Sequence, residues 1–110
     1  MANTFKNAIS AAVGTSQTSV YTAPSGTTST VIGLTVANRH SADITVDIQV
    51  TDTSSGATVF LVRGANIPVG GGLVPVGGDQ KIILEASDII LVTSDTASSA
   101  DVIVSILEQA

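Results

Sequence analysis

An antiparallel β-sandwich of jelly-roll type, all-β and without significant helix, is the fold class this sequence predicts. Three observations predict it. Ile and Val recur in short runs, and their branched Cβ atoms pack well on a pleated surface and are mildly disfavoured in helices. Each run is bounded by Gly, Ser, Thr, Asp or Pro, the residues of tight turns. One stretch alternates cleanly: Ile44, Val46, Ile48 and Val50 fall on one face, and Thr45, Asp47, Gln49 and Thr51 on the other. A sheet with one buried and one wet face needs that period of two.

Taken in order, residues 4–13 read as an extended or edge strand; Phe5, Ile9, Ala12 and Val13 would also fit a helical face, but Ala8 and the Ser and Asn breaks weaken it. Thr18-Ser-Val-Tyr-Thr22 is a strand closed by Ala23-Pro24-Ser25-Gly26, a turn in which Pro presets φ and Gly supplies the permissive position. Residues 28–37 form a longer strand, with Ile32, Leu34 and Val36 sharing one face and Gly33 and Thr35 the other. The alternating strand at 43–52 turns at Thr53-Ser-Ser-Gly56, and residues 58–63 return as its hairpin partner. Residues 64–78, rich in Gly and interrupted by Pro68 and Pro75, hold one short strand around 73–76, because Pro has no N–H to give a ladder. The last third carries apolar runs at 81–84, 89–93 and 102–107, which read as a three-stranded meander. Together the runs make about eight short strands.

At 110 residues the chain is expected to be a single domain, residues 1–110, with residues 1–14 a candidate docking arm. It has no cysteine, so disulfides, thiolate metal sites and a Cys nucleophile are excluded. No basic and apolar leader opens the chain, and no apolar run nears the ~20 residues of a membrane helix. The net charge is -5, and Lys6, Arg39, Arg63 and Lys81 are scattered, which argues against nucleic acid as a partner. Charged residues make up 12%, about half the usual share. A surface so low in charge and rich in Thr suits contact with other proteins, because few charges need desolvating, and it equally fits the ordinary composition of all-β extracellular-type modules.

Chemistry-bearing patterns are sparse. His40 is the single histidine, lies in a predicted turn and has no Gly-x-Ser-x-Gly partner, so it reads as a solvated turn residue rather than a base. The glycines at 70–72 and 77–78 are followed by no Gly-Lys-Ser/Thr and by no helix, and read as turning points rather than a phosphate loop. Asp43, Asp52, Asp79, Asp88, Asp95 and Asp101 recur near turns without the fixed spacing of a calcium loop, and read as turn formers. A sugar platform would draw on exposed aromatics, but only Phe5, Tyr21 and Phe60 exist, and Phe5 and Phe60 read as core. No enzyme activity and no cofactor is therefore expected.

The feature that reaches beyond fold is the apolar character of both faces of the C-terminal runs, Ile82-Ile83-Leu84, Ile89-Ile90-Leu91-Val92 and Val102-Ile103-Val104. One face belongs to the core, and the other must be covered by a loop or another subunit. In so small a domain this favours an oligomer, and the candidate interface is Phe5, Ile9, Ile83, Ile90, Val92, Ile103 and Leu107.

Across nearly its whole length the pattern resembles a family of small virion structural proteins of tailed bacteriophages, especially those of marine bacteria and cyanobacteria. The resemblance is carried by Tyr21-Thr-Ala-Pro-Ser-Gly-Thr-Thr-Ser-Thr-Val-Ile-Gly-Leu34, Val46-Asp-Ile-Gln-Val-Thr-Asp52, Lys81-Ile-Ile-Leu-Glu-Ala-Ser-Asp-Ile-Ile-Leu-Val-Thr-Ser94 and Val102-Ile-Val-Ser-Ile-Leu-Glu108. It implies a capsid decoration or cement protein on the virion's capsid surface, binding the major capsid protein and itself, with a trimer favoured. Such a module would clamp neighbouring capsid subunits after head expansion. Two alternatives are the base or adaptor of a head or tail fibre, and a carbohydrate-binding module.

Overall fold

The computed structural model describes residues 3–77 and 80–110. Nine strands run in order: β1 (Asn3–Val13), β2 (Thr18–Thr22), β3 (Thr28–Asn38), β4 (Ile44–Asp52), β5 (Ala57–Ile67), β6 (Gly72–Val76), β7 (Ile82–Leu84), β8 (Ile89–Ser94) and β9 (Ala100–Gln109). They form two antiparallel sheets, and no helix occurs among the described residues. Sheet A has the order β1-β9-β3-β6, with β7 also on β3, and sheet B has the order β2-β8-β4-β5. Strands consecutive in sequence mostly lie in opposite sheets, so the chain winds as a double Greek key, a jelly roll. One of its eight positions is divided: β6 pairs with β3 at Leu34–Ala37 and β7 pairs with it at Ser29–Val31.

The core follows from the alternation. Ile44, Val46 and Ile48 of β4 meet Val31, Leu34 and Val36 of β3 and Val102, Val104 and Ile106 of β9, all at most 1% exposed. Ile90, Val92, Leu84, Val76 and Ile67 extend it, with Val13, Val20, Tyr21, Ala23 and Ala100 at its margins. Two buried polar links join the sheets. Tyr21 Oη hydrogen-bonds Ser29 Oγ at 2.7 Å and donates to Glu108 Oε2 at 2.6 Å. Asn38 Nδ2 donates to the carbonyls of Ala42 and Ile67 at 2.9 and 3.0 Å, while its Oδ1 accepts the His40 N–H at 2.7 Å.

Several expectations are corrected. The last three strands are not a meander, because β7 and β9 belong to sheet A and β8 to sheet B. The connections cross the open ends of the sandwich, and the first is pinned where Ala23 N–H donates to the Asp88 carbonyl and Ser87 N–H to the Ala23 carbonyl. Ile32 does not share the core face with Leu34 and Val36. A bulge between Val31 and Gly33 inverts the alternation, so Ser29 and Val31 point inward before it and Leu34 and Val36 after it. Phe5 and Phe60 are exposed, at 74% and 46%, and Tyr21 is the buried aromatic. Ile90 and Val92, placed in the candidate interface, are fully buried core residues. In β8 the outward positions are Ile89 and Leu91, half-buried between β2 and β4.

The segment at 64–67 is strand, where an irregular corner was expected: β5 continues to Ile67 through a bulge at Gly64. Gly64 has φ +64, a conformation most side chains resist, and its N–H donates to Asp47 Oδ1 at 2.6 Å.

Candidate functional site

Strand register gathers the exposed apolar residues onto the outer face of sheet A. Phe5 on β1 lies opposite Leu107 on β9, which lies opposite Thr30 on β3, itself opposite Ile83 on β7. Two rungs along, Ile9 lies opposite Ile103, and Ile103 opposite Thr35. Between these rows run Asn7, Ser105 and Gly33. Leu73 opposes the inward Val36, and Val74 follows it, exposed, where β6 breaks register against β3.

Phe5, Ile9, Val74, Ile83 and Ile103 are 74, 67, 62, 59 and 42% exposed, and Leu107 is half-buried. The rows hold no charge until the end of the sandwich, where Asp101 Oδ1 pairs with Arg39 Nη1 at 3.1 Å. Two shallow grooves cross the face. One, about 320 Å³, is lined by Phe5, Asn7, Ile32, Ser105 and Ile106, with Lys6 at its side. The other, about 250 Å³, is lined by Ile9, Ala11, Thr35, Ala37 and Ile103 and ends at Asp101.

The outer face of sheet B contrasts with it. Thr93 opposes Asp47, Leu91 opposes Gln49, Ile89 opposes Thr51, and Thr51 opposes Thr58 with their hydroxyls 2.9 Å apart. Phe60 lies there with the Arg63 guanidinium 5.1 Å from its ring centre, a cation–π contact at an exposed site. The two exposed phenylalanines thus lie on opposite sheets and form no common sugar platform.

Five of the seven sequence-predicted interface residues come together on this face: Phe5, Ile9, Ile83, Ile103 and Leu107. Ile90 and Val92 do not, being on the inward side of β8. The sequence reading missed Val74. The signal for it lay in the pleat of residues 72–76, where Leu73 inward places Val74 outward.

The turn carboxylates hold backbone. Asp43 Oδ1 accepts the Val69 N–H, Asp95 Oδ1 the Thr45 N–H, Asp101 Oδ1 the Ala12 N–H, and Asp52 Oδ1 the Ser54 N–H and Oγ–H. Asp79 lies outside the described residues. Hydrogen bonds hold three of these carboxyls below the usual range: Asp101 through Ala12 first and Arg39 after it, Asp95 through Thr45, and Asp52 through Ser54.

Asp52, Glu85 and Asp88 bring carboxylate oxygens within 4.8 Å of one another. Asp88 Oδ1 already accepts the Thr53 N–H and hydroxyl, and Oδ2 accepts the Glu85 N–H. Asp88 thereby fastens the β4–β5 turn to the corner before β8. His40 sits in the β3–β4 turn, held by its backbone N–H on Asn38. Comparison with protein-family models and with curated protein sequences found no match to this chain.

Proposed function

We propose that this chain is a structural module of a tailed-phage virion, a capsid decoration protein that docks on the head through the outer face of sheet A. The observation that supports this reading most directly is the apolar face of Phe5, Ile9, Val74, Ile83 and Ile103, bordered by charge only at Lys6 and at the Asp101–Arg39 pair. Its pattern resemblance to small phage virion proteins supplies the assignment to a virion.

The exposure of these five residues adds to about three whole side chains. Burying that much is worth ~6 kcal/mol at the usual ~2 kcal/mol per apolar side chain. Association itself costs about 4–15 kcal/mol, so one module on one face binds weakly at best. A decoration protein meets that limit by presenting several copies at once, so that weak contacts multiply as avidity. The low charge helps, since few ions need desolvating. Function in this reading is mechanical: apolar burial across neighbouring capsid subunits opposes their separation.

Immunogold labelling of intact particles tests the proposal. Label spread over the head is expected. Label confined to a vertex, the neck or the tail would replace decoration by a fibre-base adaptor, and unlabelled particles would overturn the virion reading.

A further inference from the structure

We infer that β1 is a pairing edge for a second copy of this chain, giving a two-fold dimer in which two copies of sheet A become one continuous sheet of ten strands, twice the five in each copy. This inference stands on edge geometry and is independent of the virion reading.

The two sheets present four edges, and three are blunted. β2 is five residues long and bulged between Ser19 and Tyr21. β5 breaks register twice against β4, once at the Gly64 bulge. The edge beyond β3 is split into β6, which carries Pro75, and the three-residue β7. Short strands, bulges, Pro and charged side chains are the usual protection against edge-to-edge pairing. From Asn3 to Ser10 β1 has neither bulge nor Pro, pairs with β9 in unbroken register and, among the described residues, has no strand on its other edge; its one charge, Lys6, is drawn inward to Glu108 at 3.5 Å. Its first irregularity follows Ser10 and includes Ala12 at φ 55.

The order of side chains on β1 identifies the partner. A two-fold axis through Asn7 sets Asn7 against Asn7 of the second copy, and Phe5 against Ile9, twice over. On the inner side Lys6 then faces Ala8, and Thr4 faces Ser10. An apolar pair flanks an amide pair on each side, and no like charges meet. The register with its axis at Lys6 would oppose two ammonium groups. The one with its axis at Ala8 would set Phe5 against Ala11 and Ile9 against Asn7. The Asn7 register is therefore preferred. It overlaps residues 3–11 of both copies and forms about 8–10 backbone hydrogen bonds, the number of a typical stable interface. It also joins the two apolar outer faces side by side.

Light scattering of the purified chain should read about twice the 11.0 kDa of one copy. Asn7→Asp sets two carboxylates across the axis and should weaken the dimer at least ten-fold at neutral pH, as should Asn7→Lys. Mixing the two variants should restore it. Because the chain has no cysteine, Asn7→Cys should oxidise to a covalent dimer, whereas Phe5→Cys should cross-link only with Ile9→Cys. All three positions are exposed, so circular dichroism and melting temperature should match the parent. A parent chain that stays at 11 kDa, or that forms a trimer, overturns the inference. So does an Asn7→Cys chain that folds, dimerises and fails to cross-link. The parent mass decides the matter if a variant fails to fold.

Discussion

Tyr21 shows how one side chain can hold two sheets together. Its ring is 7% exposed on β2, while its hydroxyl reaches Ser29 on β3 and Glu108 on β9. Lys6 of β1 lies 3.5 Å from the same Glu108 oxygen, so four strands meet there. Tyr21→Phe leaves the fully buried Ser29 hydroxyl without that partner and should cost about 1–3 kcal/mol, read as a lower melting temperature. Burial, with the Glu108 hydrogen bond next, pushes the Tyr21 phenol up to about 12. A group whose folded value is raised lends stability fully below its unfolded value of about 10, and that stability is lost as pH rises toward 12. Denaturation midpoints should therefore drop between pH 10 and 12 in the parent and stay flatter in Tyr21→Phe. At the acid end the sign reverses. Asp101, Asp95 and Asp52 are held below the usual carboxylate range, so their contribution is present above about pH 4 and fades below it. Melting temperature measured from pH 5 downward should fall, and Asp101→Asn should fall less steeply because Asn does not titrate.

Among the elements, β8 and the β4–β5 hairpin separate what pattern reveals from what it hides. The run Ile89-Ile90-Leu91-Val92 is apolar at every position, so alternation cannot say which pair points inward. Register does: Ile90 opposes Val50 and Val92 opposes Ile48, both on the inner side of β4. Ile90→Ala should thus cost about 2–5 kcal/mol as a cavity in the core. Ile83→Ala, on a residue 59% exposed, should stay within about 0.5 kcal/mol. Chemical denaturation of the two variants side by side checks the assignment. In the hairpin, Gly64→Ala meets open space but keeps φ +64, so backbone strain of about 1–2 kcal/mol is expected without any clash. Asp47→Ala removes the acceptor for the same Gly64 N–H and should loosen the bulge, seen as faster amide exchange at Gly64.

For the whole molecule the two outer faces differ in kind. Sheet B turns Thr, Gln and Asp outward, and sheet A turns Phe5, Ile9, Ile83, Ile103 and Val74. Sheet B's face is mixed, with Ile89, Leu91 and Phe60 among its polar residues, while sheet A's is mostly apolar. On the capsid-decoration reading proposed above, Ile103→Asp should leave the fold intact, because Ile103 is 42% exposed, yet abolish binding to particles. Co-sedimentation with heads stripped of the protein measures this, with melting temperature as the control. Loss of stability in place of binding would return Ile103 to the core.

Sequence alone determined the class of fold, most of the strands and the low charge, because alternation, turn residues and composition are local properties. The hairpin at Gly56 and the inward set Ile44, Val46 and Ile48 were legible for that reason. Tertiary structure decided which sheet each late strand joins, which way β8 faces, and that Phe5 lies on the surface. It also decided where Val31 and Leu34 change phase, since one extra residue at a bulge inverts every side chain beyond it. Above all it assembled residues as distant as Phe5, Ile83 and Ile103 into one face, because sheet neighbours are set by long-range pairing and no local pattern records who pairs with whom.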